Sequence, residues 1–395
     1  MYEAILRDQT RRHRQMAFVA GPRQVGKTTT CRALVAPTRF LSWDNQDDRA
    51  LILAGPRAVA ERVGIARSSA ARTTLVFDEL HRYGRWKTFL KGFFDTYEQR
   101  ARIVITGSSR LDVYRRGGDS MMGRYFLYRM HPLSVGELLG ADVPETEIRA
   151  PRDLDERKFQ TLWEHGGFPE PFVEADARFS RRWRELRTQQ LVREDVRDLT
   201  RIRELDQMEH LVALLSERSG TQLSYSSLAT DVRVSVDSMR RWIECLVSLH
   251  HGFLVRPWFK NVARSLRKEP KWYGTDWSRV PDLGRRAETF VACHLLKAVQ
   301  GWTDLGFGAF ELRYLRDKDG REVDFVVVRD QRPWFLVEVK LSGTQLPADL
   351  HRHASQLGVR HAFAAVLDLP FEPKDCFTLD RPAVVPARTL LSQLL

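Results

Sequence analysis

Residues 21–28 read Gly21-Pro22-Arg23-Gln24-Val25-Gly26-Lys27-Thr28, the spacing G-x-x-x-x-G-K-T. No other stretch of the chain limits its fold so tightly. The two glycines let the backbone wrap around a phosphate with its N–H groups turned inward. Lys27 supplies a compact charge for the β/γ-phosphates, and Thr28 offers a hydroxyl to Mg²⁺. With Thr29, these residues form the expected ATP site. The apolar run Met16-Ala17-Phe18-Val19-Ala20 precedes the loop, and a helical pattern over 27–35 follows it. A strand, a glycine loop and a helix in that order aim a helix N-terminus, with its partial positive charge, at the anion.

Three more strand patterns follow. Leu75-Val76-Phe77 ends in Asp78-Glu79. A continuous apolar run marks a parallel strand covered on both faces, and ligands bind beyond the carboxyl ends of such strands. Asp78 is therefore expected to meet the metal held by Thr28. Glu79, one residue on, is expected to orient and polarise the attacking water. Ile103-Val104-Ile105 leads to Thr106-Gly107-Ser108-Ser109, where Ser108 or Ser109 either bonds the γ-phosphate or the water, or caps the strand. Phe40-Leu41-Ser42-Trp43 ends in Asp44-Asn45 and completes the alternation of strands with helices. The expectation is an α/β fold, a doubly wound parallel sheet.

The remaining composition narrows the setting. The 395 residues leave room for two to four domains. A net charge of +12 favours polyanionic partners, DNA before an acidic membrane. Four scattered cysteines lack metal-ligand spacing, the amino-terminal residues lack an apolar signal core, and no apolar run is long enough to span a bilayer. A cytoplasmic enzyme without a membrane partner is expected.

The order of these parts resembles the AAA-type ATPases. Within them it is similar to a prokaryotic branch whose loop reads Gly-Pro-Arg-Gln-Val-Gly-Lys-Thr. That branch also carries Gly123-Arg124 before Pro132-Leu133-Ser134 and Glu137, and the turn Gly166-Gly167-Phe168-Pro169. It ends in a domain of unknown function, so the resemblance covers essentially the whole chain. It implies a homo-oligomeric, hexameric ring with active sites between subunits, where a neighbour's arginine stabilises the transferring phosphoryl group. Arg124 is the candidate, with Arg110, Arg115, Arg116 and Arg129 as rivals. The expected divisions are an ATPase core over 1–145, a helical lid or linker over 146–204, a winged helix-turn-helix over 205–275 and a nuclease-like α/β domain over 276–395.

Residues 178–203 are dense in arginine, interleaved with Trp183, Leu186, Leu191 and Val196. The pattern suits a solvated, internally paired helix or, less simply, a DNA-facing stripe. Over 205–259 it becomes three helices and a hairpin, with Ser224 and Ser235 as caps and Val236, Met239, Ile243, Leu246 and Val247 on one face of the third helix. This looks like a winged helix. The likeness would put Arg240 and Arg241 in the major groove, and Lys260, Arg264, Arg267 and Lys268 on phosphates. Winged helices also serve as protein adaptors.

A helix carrying Glu288, a strand carrying Asp324 and a strand ending Glu338-Val339-Lys340 follow. Glu338 and Lys340, two apart, leave one sheet face. The order is similar to the restriction-endonuclease-like nuclease core, with Val323 where that family has proline. The likeness implies Mg²⁺ on Asp324 and Glu338, water on Lys340 and support from Glu288; the alternative is an ion-paired sheet face. Three functions fit: an ATP-driven motor that translocates or remodels DNA, as in junction branch migration; a Mg²⁺-dependent nuclease licensed by ATP; or a nucleotide-gated winged-helix switch.

Overall fold

Five apolar runs become strands β1 (Met16–Ala20), β2 (Phe40–Ser42), β3 (Thr73–Asp78), β4 (Ala101–Gly107) and β5 (Tyr125–Arg129). The computed structural model describes residues 1–65, 72–107, 121–140, 142–197, 202–259 and 269–395. All four pairings are parallel, in the order β2-β3-β4-β1-β5. β1 and β4 are buried at every position, as expected of strands covered on both faces. The helix Trp86–Tyr97 buries Trp86, Phe89, Leu90, Phe93 and Phe94, one face at helical spacing. Phe89 and Phe93 meet the Phe77 ring edge-on, with centroids 5.6 and 5.7 Å away. Each such buried ring contributes about 1.5–3 kcal/mol. The strand order sets the carboxyl ends of β3, β4 and β1 side by side. This unit comprises Met1–His131 with Gly140–Val143.

The second unit, Pro132–Leu139 with Pro144–Leu395, holds a helical part and a mixed sheet. The helices Leu205–Glu217, Tyr225–Val232 and Val236–Ser248 share a core that includes Leu211, Leu228, Met239, Trp242 and Leu246. Ser224 and Ser235 cap the second and third by accepting from the amides of Ser227 and Ser238, as the sequence suggests. Next come β6 (Gly252–Pro257) and β7 (Lys271–Gly274), an antiparallel pair.

That hairpin does not end with the helices. β6 also runs parallel to β8 (Phe310–Arg316), so the hairpin is the edge of a seven-stranded sheet. The sheet continues through β9 (Glu322–Arg329), β10 (Arg332–Lys340), β11 (His361–Val366) and β12 (Ala383–Pro386), in the order β12-β11-β10-β9-β8-β6-β7. The helix Leu283–Asp304 buries Ala287, Phe290, Val291, Leu295 and Trp302. The hairpin before residue 275 is thus continuous, through β6, with the sheet that follows it. The physical reason is edge pairing: β8 satisfies backbone groups that the β6 edge would otherwise leave open. Among the described residues no helix is long and apolar enough to cross a membrane.

Candidate functional site

At the carboxyl end of β1 the backbone turns through conformations that side chains rarely adopt. Gly21 has φ +155°, and a Cβ there would lie 2.2 Å from the Met130 carbonyl oxygen. Gly26 has φ +96°. Glycine is required at both positions. Lys27 opens the helix Lys27–Arg32 and is 6% exposed. Its Nζ donates to the carbonyls of Gly21 (2.9 Å) and Pro22 (2.7 Å), spanning the loop it belongs to. Burial lowers its pKa to about 8, against the opposing pull of Glu79 and Asp78.

The end of β3 meets this loop. Thr28 Oγ1 donates to Asp78 Oδ1 at 3.1 Å. Thr106, at the end of β4, donates its hydroxyl to the same oxygen at 2.5 Å and accepts from the Glu79 amide at 3.2 Å. Thr106 therefore aims the aspartate and holds the next peptide in place. Glu79 has φ +53°, uncommon for a side-chain-bearing residue. Its carboxylate lies 3.6 Å from His81 Nε2 and 3.8 Å from Arg82 Nε. Burial raises the pKa of Glu79, and Asp78 adds to the shift against the pull of Lys27. A carboxylate so shifted holds a proton better than an exposed one.

Lys27, Thr28, Asp78 and Glu79 thus converge on one edge of the sheet. The sequence reading passes over Thr106 in favour of Ser108, though a polar residue closing an apolar strand is a visible signal. Ser108 and Ser109 lie outside the described residues, as do Arg110, Arg115 and Arg116. Arg124 stands before β5, at the sheet edge opposite the loop, and forms a two-pronged bond to Asp95 (2.8 and 3.0 Å). The oxygen chemistry of Thr28 and Asp78 fits Mg²⁺.

The second unit gathers another cluster. Glu288 projects from the helix Leu283–Asp304, Glu322 and Asp324 from β9, and Glu338 and Lys340 from β10. The Asp324 amide donates to Glu338, and Asp324 accepts from the Val339 amide at 2.9 Å. Lys340 Nζ reaches Glu338 at 2.9 Å. The structure brings all four predicted residues together and adds Lys271, Glu322 and Tyr273, which sequence reasoning does not single out. Lys271 of β7 is 4% exposed and lies 2.5 Å from Glu322, 3.0 Å from Glu288 and 3.6 Å from Asp324. Tyr273, two residues on, donates to Glu288 at 2.6 Å. Burial by itself lowers the pKa of Lys271, but Glu288, Asp324 and Glu322 together outweigh it and hold the ammonium above its ordinary value. Burial likewise pushes Asp324 and Glu338 well above the usual carboxylate range.

The Lys271 ammonium pairs with Glu288, Glu322 and Asp324, and it would repel a second positive charge a few ångströms away. With Lys271 in place, the cluster does not fit a divalent metal ion. Among the described residues, no group of three or more His, Cys, Asp or Glu side chains has metal-site geometry. Arg240 and Arg241 are exposed on the helix Val236–Ser248, with Arg240 over the Tyr225 ring and Arg241 on Ser238. Lys260, Arg264, Arg267 and Lys268 lie outside the described residues.

Residues 13–139 match the family described as an AAA domain. Residues 156–284 match a domain of unknown function, DUF8612, and residues 283–366 another, DUF4143. The chain is 25% identical over 346 residues to an uncharacterized protein of Mycobacterium tuberculosis, covering 83% of this chain and 71% of that one. An uncharacterized protein of Mycobacterium bovis matches to the same extent. Among solved structures, the Walker-type ATPase PABY2304 of Pyrococcus abyssi aligns with TM-score 0.43 and 13% identity, over 71% of this chain and 93% of that chain. The Aeropyrum pernix ORC1 protein in complex with DNA aligns with TM-score 0.30 and 14% identity, over 73% and 90%. The first unit is an AAA-type P-loop ATPase domain, on the family match and the loop it contains.

Proposed function

We propose that this chain is an ATP-hydrolysing motor that binds DNA and couples hydrolysis to its translocation or remodelling, with branch migration at junctions among the possible outputs. The convergence of Lys27, Thr28, Asp78 and Glu79, held by Thr106, carries the ATPase part. Loop amides and Lys27 bind and orient the triphosphate. Thr28 and Asp78 would hold Mg²⁺, which when bound neutralises charge on the phosphates. Glu79, its proton affinity raised by burial, polarises a water and takes its proton. Arg124 stands at the far end of β5 from its own loop, which supports action on a neighbour's nucleotide in a hexameric ring.

The DNA part is supported by the net charge of +12 and by the exposed Arg240 and Arg241 on a third helix that a hairpin follows, a winged-helix order. The hairpin leads straight into the nuclease-like sheet, which would let movement at the wing reach the cluster around Lys271. That cluster gives the cleavage reading no support, because an ammonium takes the place of the ion.

The test is ATP turnover with single-stranded, double-stranded and branched DNA, run beside a Mg²⁺ or Mn²⁺ cleavage assay. Stimulation by one DNA form without cutting is the expected result. Turnover indifferent to every form would remove the motor and favour the regulatory switch.

A further inference from the structure

A cleft of about 850 Å³ in the second unit has a wall built from one face of the helix Ala177–Gln190. Arg181, Arg184, Glu185, Thr188 and Gln189 recur at helical spacing along it. The far wall brings Ser278, Arg279, Pro281 and Arg286. Local sequence does not show this meeting, because the two walls are about ninety residues apart in the chain.

Three of the guanidinium groups, those of Arg184, Arg279 and Arg286, are held in position by neutral partners. Arg184 donates to the Ser278 carbonyl at 2.8 Å. Arg279 donates to the Arg184 carbonyl at 3.0 Å and to Thr188 Oγ1 at 2.6 Å, and its Nε is buried with no partner. Arg286 donates to the Val280 carbonyl at 2.8 Å. Among the described residues, none of Arg181, Arg184, Arg279 and Arg286 forms an ion pair. Arg193 at the rim differs, since Glu209 and Asp206 neutralise it at 2.7 and 3.2 Å. Burial lowers the pKa values of Arg279 and Arg286 below the ordinary guanidinium value, and the nearness of Arg184 adds to it against the opposing pull of Asp276. Guanidinium groups that form no ion pair, in a cleft where arginines outnumber the carboxylates Glu185 and Glu209, are arranged for an anion with several acceptor oxygens.

We propose that this cleft binds the phosphodiester backbone of a single nucleic-acid strand. Its volume is that of a small-molecule pocket, too small to admit a duplex. The lining face from Arg181 to Gln189 spreads over about 12 Å of helix, longer than a lone phosphate requires. Among the described residues no aromatic ring lines the cleft, so the contacts it offers are to the charged backbone and not to stacked bases. The inference rests on the nucleic-acid part of the proposed function and assigns it a surface apart from Arg240 and Arg241.

The experiment is fluorescence anisotropy of a labelled single-stranded oligodeoxynucleotide on the full chain, titrated across a range of KCl. The double variant Arg181→Ala with Arg184→Gln is expected to bind at least about tenfold more weakly. The slope of log K against log salt should shrink by about 1.4, the loss of two phosphate contacts. Arg181→Ala alone changes an exposed side chain with no bond to the fold, so it keeps the test valid should the double variant not fold. It is expected to reduce the slope by about 0.7. If the wild type binds and the variants match it in affinity and slope, the cleft proposal falls while DNA binding stands. If pyrophosphate displaces the strand at concentrations that inorganic phosphate shares, the cleft is a small-anion site and the proposal falls. If the wild type binds no strand at all, the functional reading itself fails.

Discussion

Lys27 and Lys271 are buried to nearly the same degree, 6% and 4% exposed, and meet opposite surroundings. Lys27 touches two carbonyl oxygens of its own loop. Lys271 lies among three carboxylates. Burial wins at Lys27 and lowers its pKa to about 8, whereas the carboxylates win at Lys271. A buried cation short of negative charge is a binding device, because an incoming phosphate supplies what the fold withholds. A buried cation already surrounded by carboxylates is a structural element, and its removal leaves charges with no partner. The arginine cleft follows the pattern of Lys27.

The largest test of this contrast is chemical. Lys27→Ala is expected to lower kcat/KM for ATP by at least about a hundredfold, the scale on which loss of a positioned electrostatic stabiliser acts. Phosphate release measured over a range of ATP would detect it, and near-normal turnover would break the comparison at its first member. Glu79→Gln should follow, with kcat reduced by about 10²–10⁴-fold and nucleotide affinity kept. A matched loss of binding and turnover would instead give Glu79 a structural role.

Lys271→Met probes the second member. Stranding Glu288, Glu322 and Asp324 should cost about 3–5 kcal/mol at neutral pH, read from denaturant unfolding. Asp324 and Glu338 have folded pKa values above their ordinary ones, so the folded state binds more protons than the unfolded state between the two values. Their ionisation therefore weakens the fold as pH rises, and the loss in the variant should shrink on acidification. Millimolar Mg²⁺ should raise the melting temperature of the variant and leave that of the wild type unchanged. Equal stabilisation of both would mean that the cluster takes a metal with the lysine present.

The smallest effect is a fraction of a proton. Free Lys27, at a pKa of about 8, is half neutral at pH 8 and mostly neutral a unit higher. Bound phosphates raise that pKa, so nucleotide binding should take up protons, increasingly from pH 7 to 9. Calorimetry in two buffers of different ionisation enthalpy measures the uptake, and none at pH 9 would show that Lys27 stays charged without nucleotide.

Much of the first unit was legible because its signals are local. The strand over 16–20 and the carboxylates closing β3 lie where contiguous residues imply them. The meeting of Thr28 with Asp78 rests on two motifs fifty residues apart, joined in sequence reasoning only because parallel strands present their carboxyl ends together. Thr106 closes an apolar strand beside Ser108 and Ser109, and nothing local to the sequence separates the three hydroxyls. The gathering of Glu288, Asp324, Glu338 and Lys340 was legible only through the resemblance to a nuclease core, since the four residues are spread over about fifty positions.

Sequence alone determined the phosphate loop, the apolar strands and the caps at Ser224 and Ser235, since each depends on residues within a few positions of one another. Tertiary structure alone decided that the hairpin joins the carboxyl-terminal sheet, that Lys271 enters its carboxylates and that Arg184 faces Arg279. Those outcomes depend on edge pairing and on charges brought together from distant segments. A lysine in a row of letters looks the same whether its neighbours in space are carbonyls or carboxylates, and that difference separates a site awaiting an anion from one already neutralised.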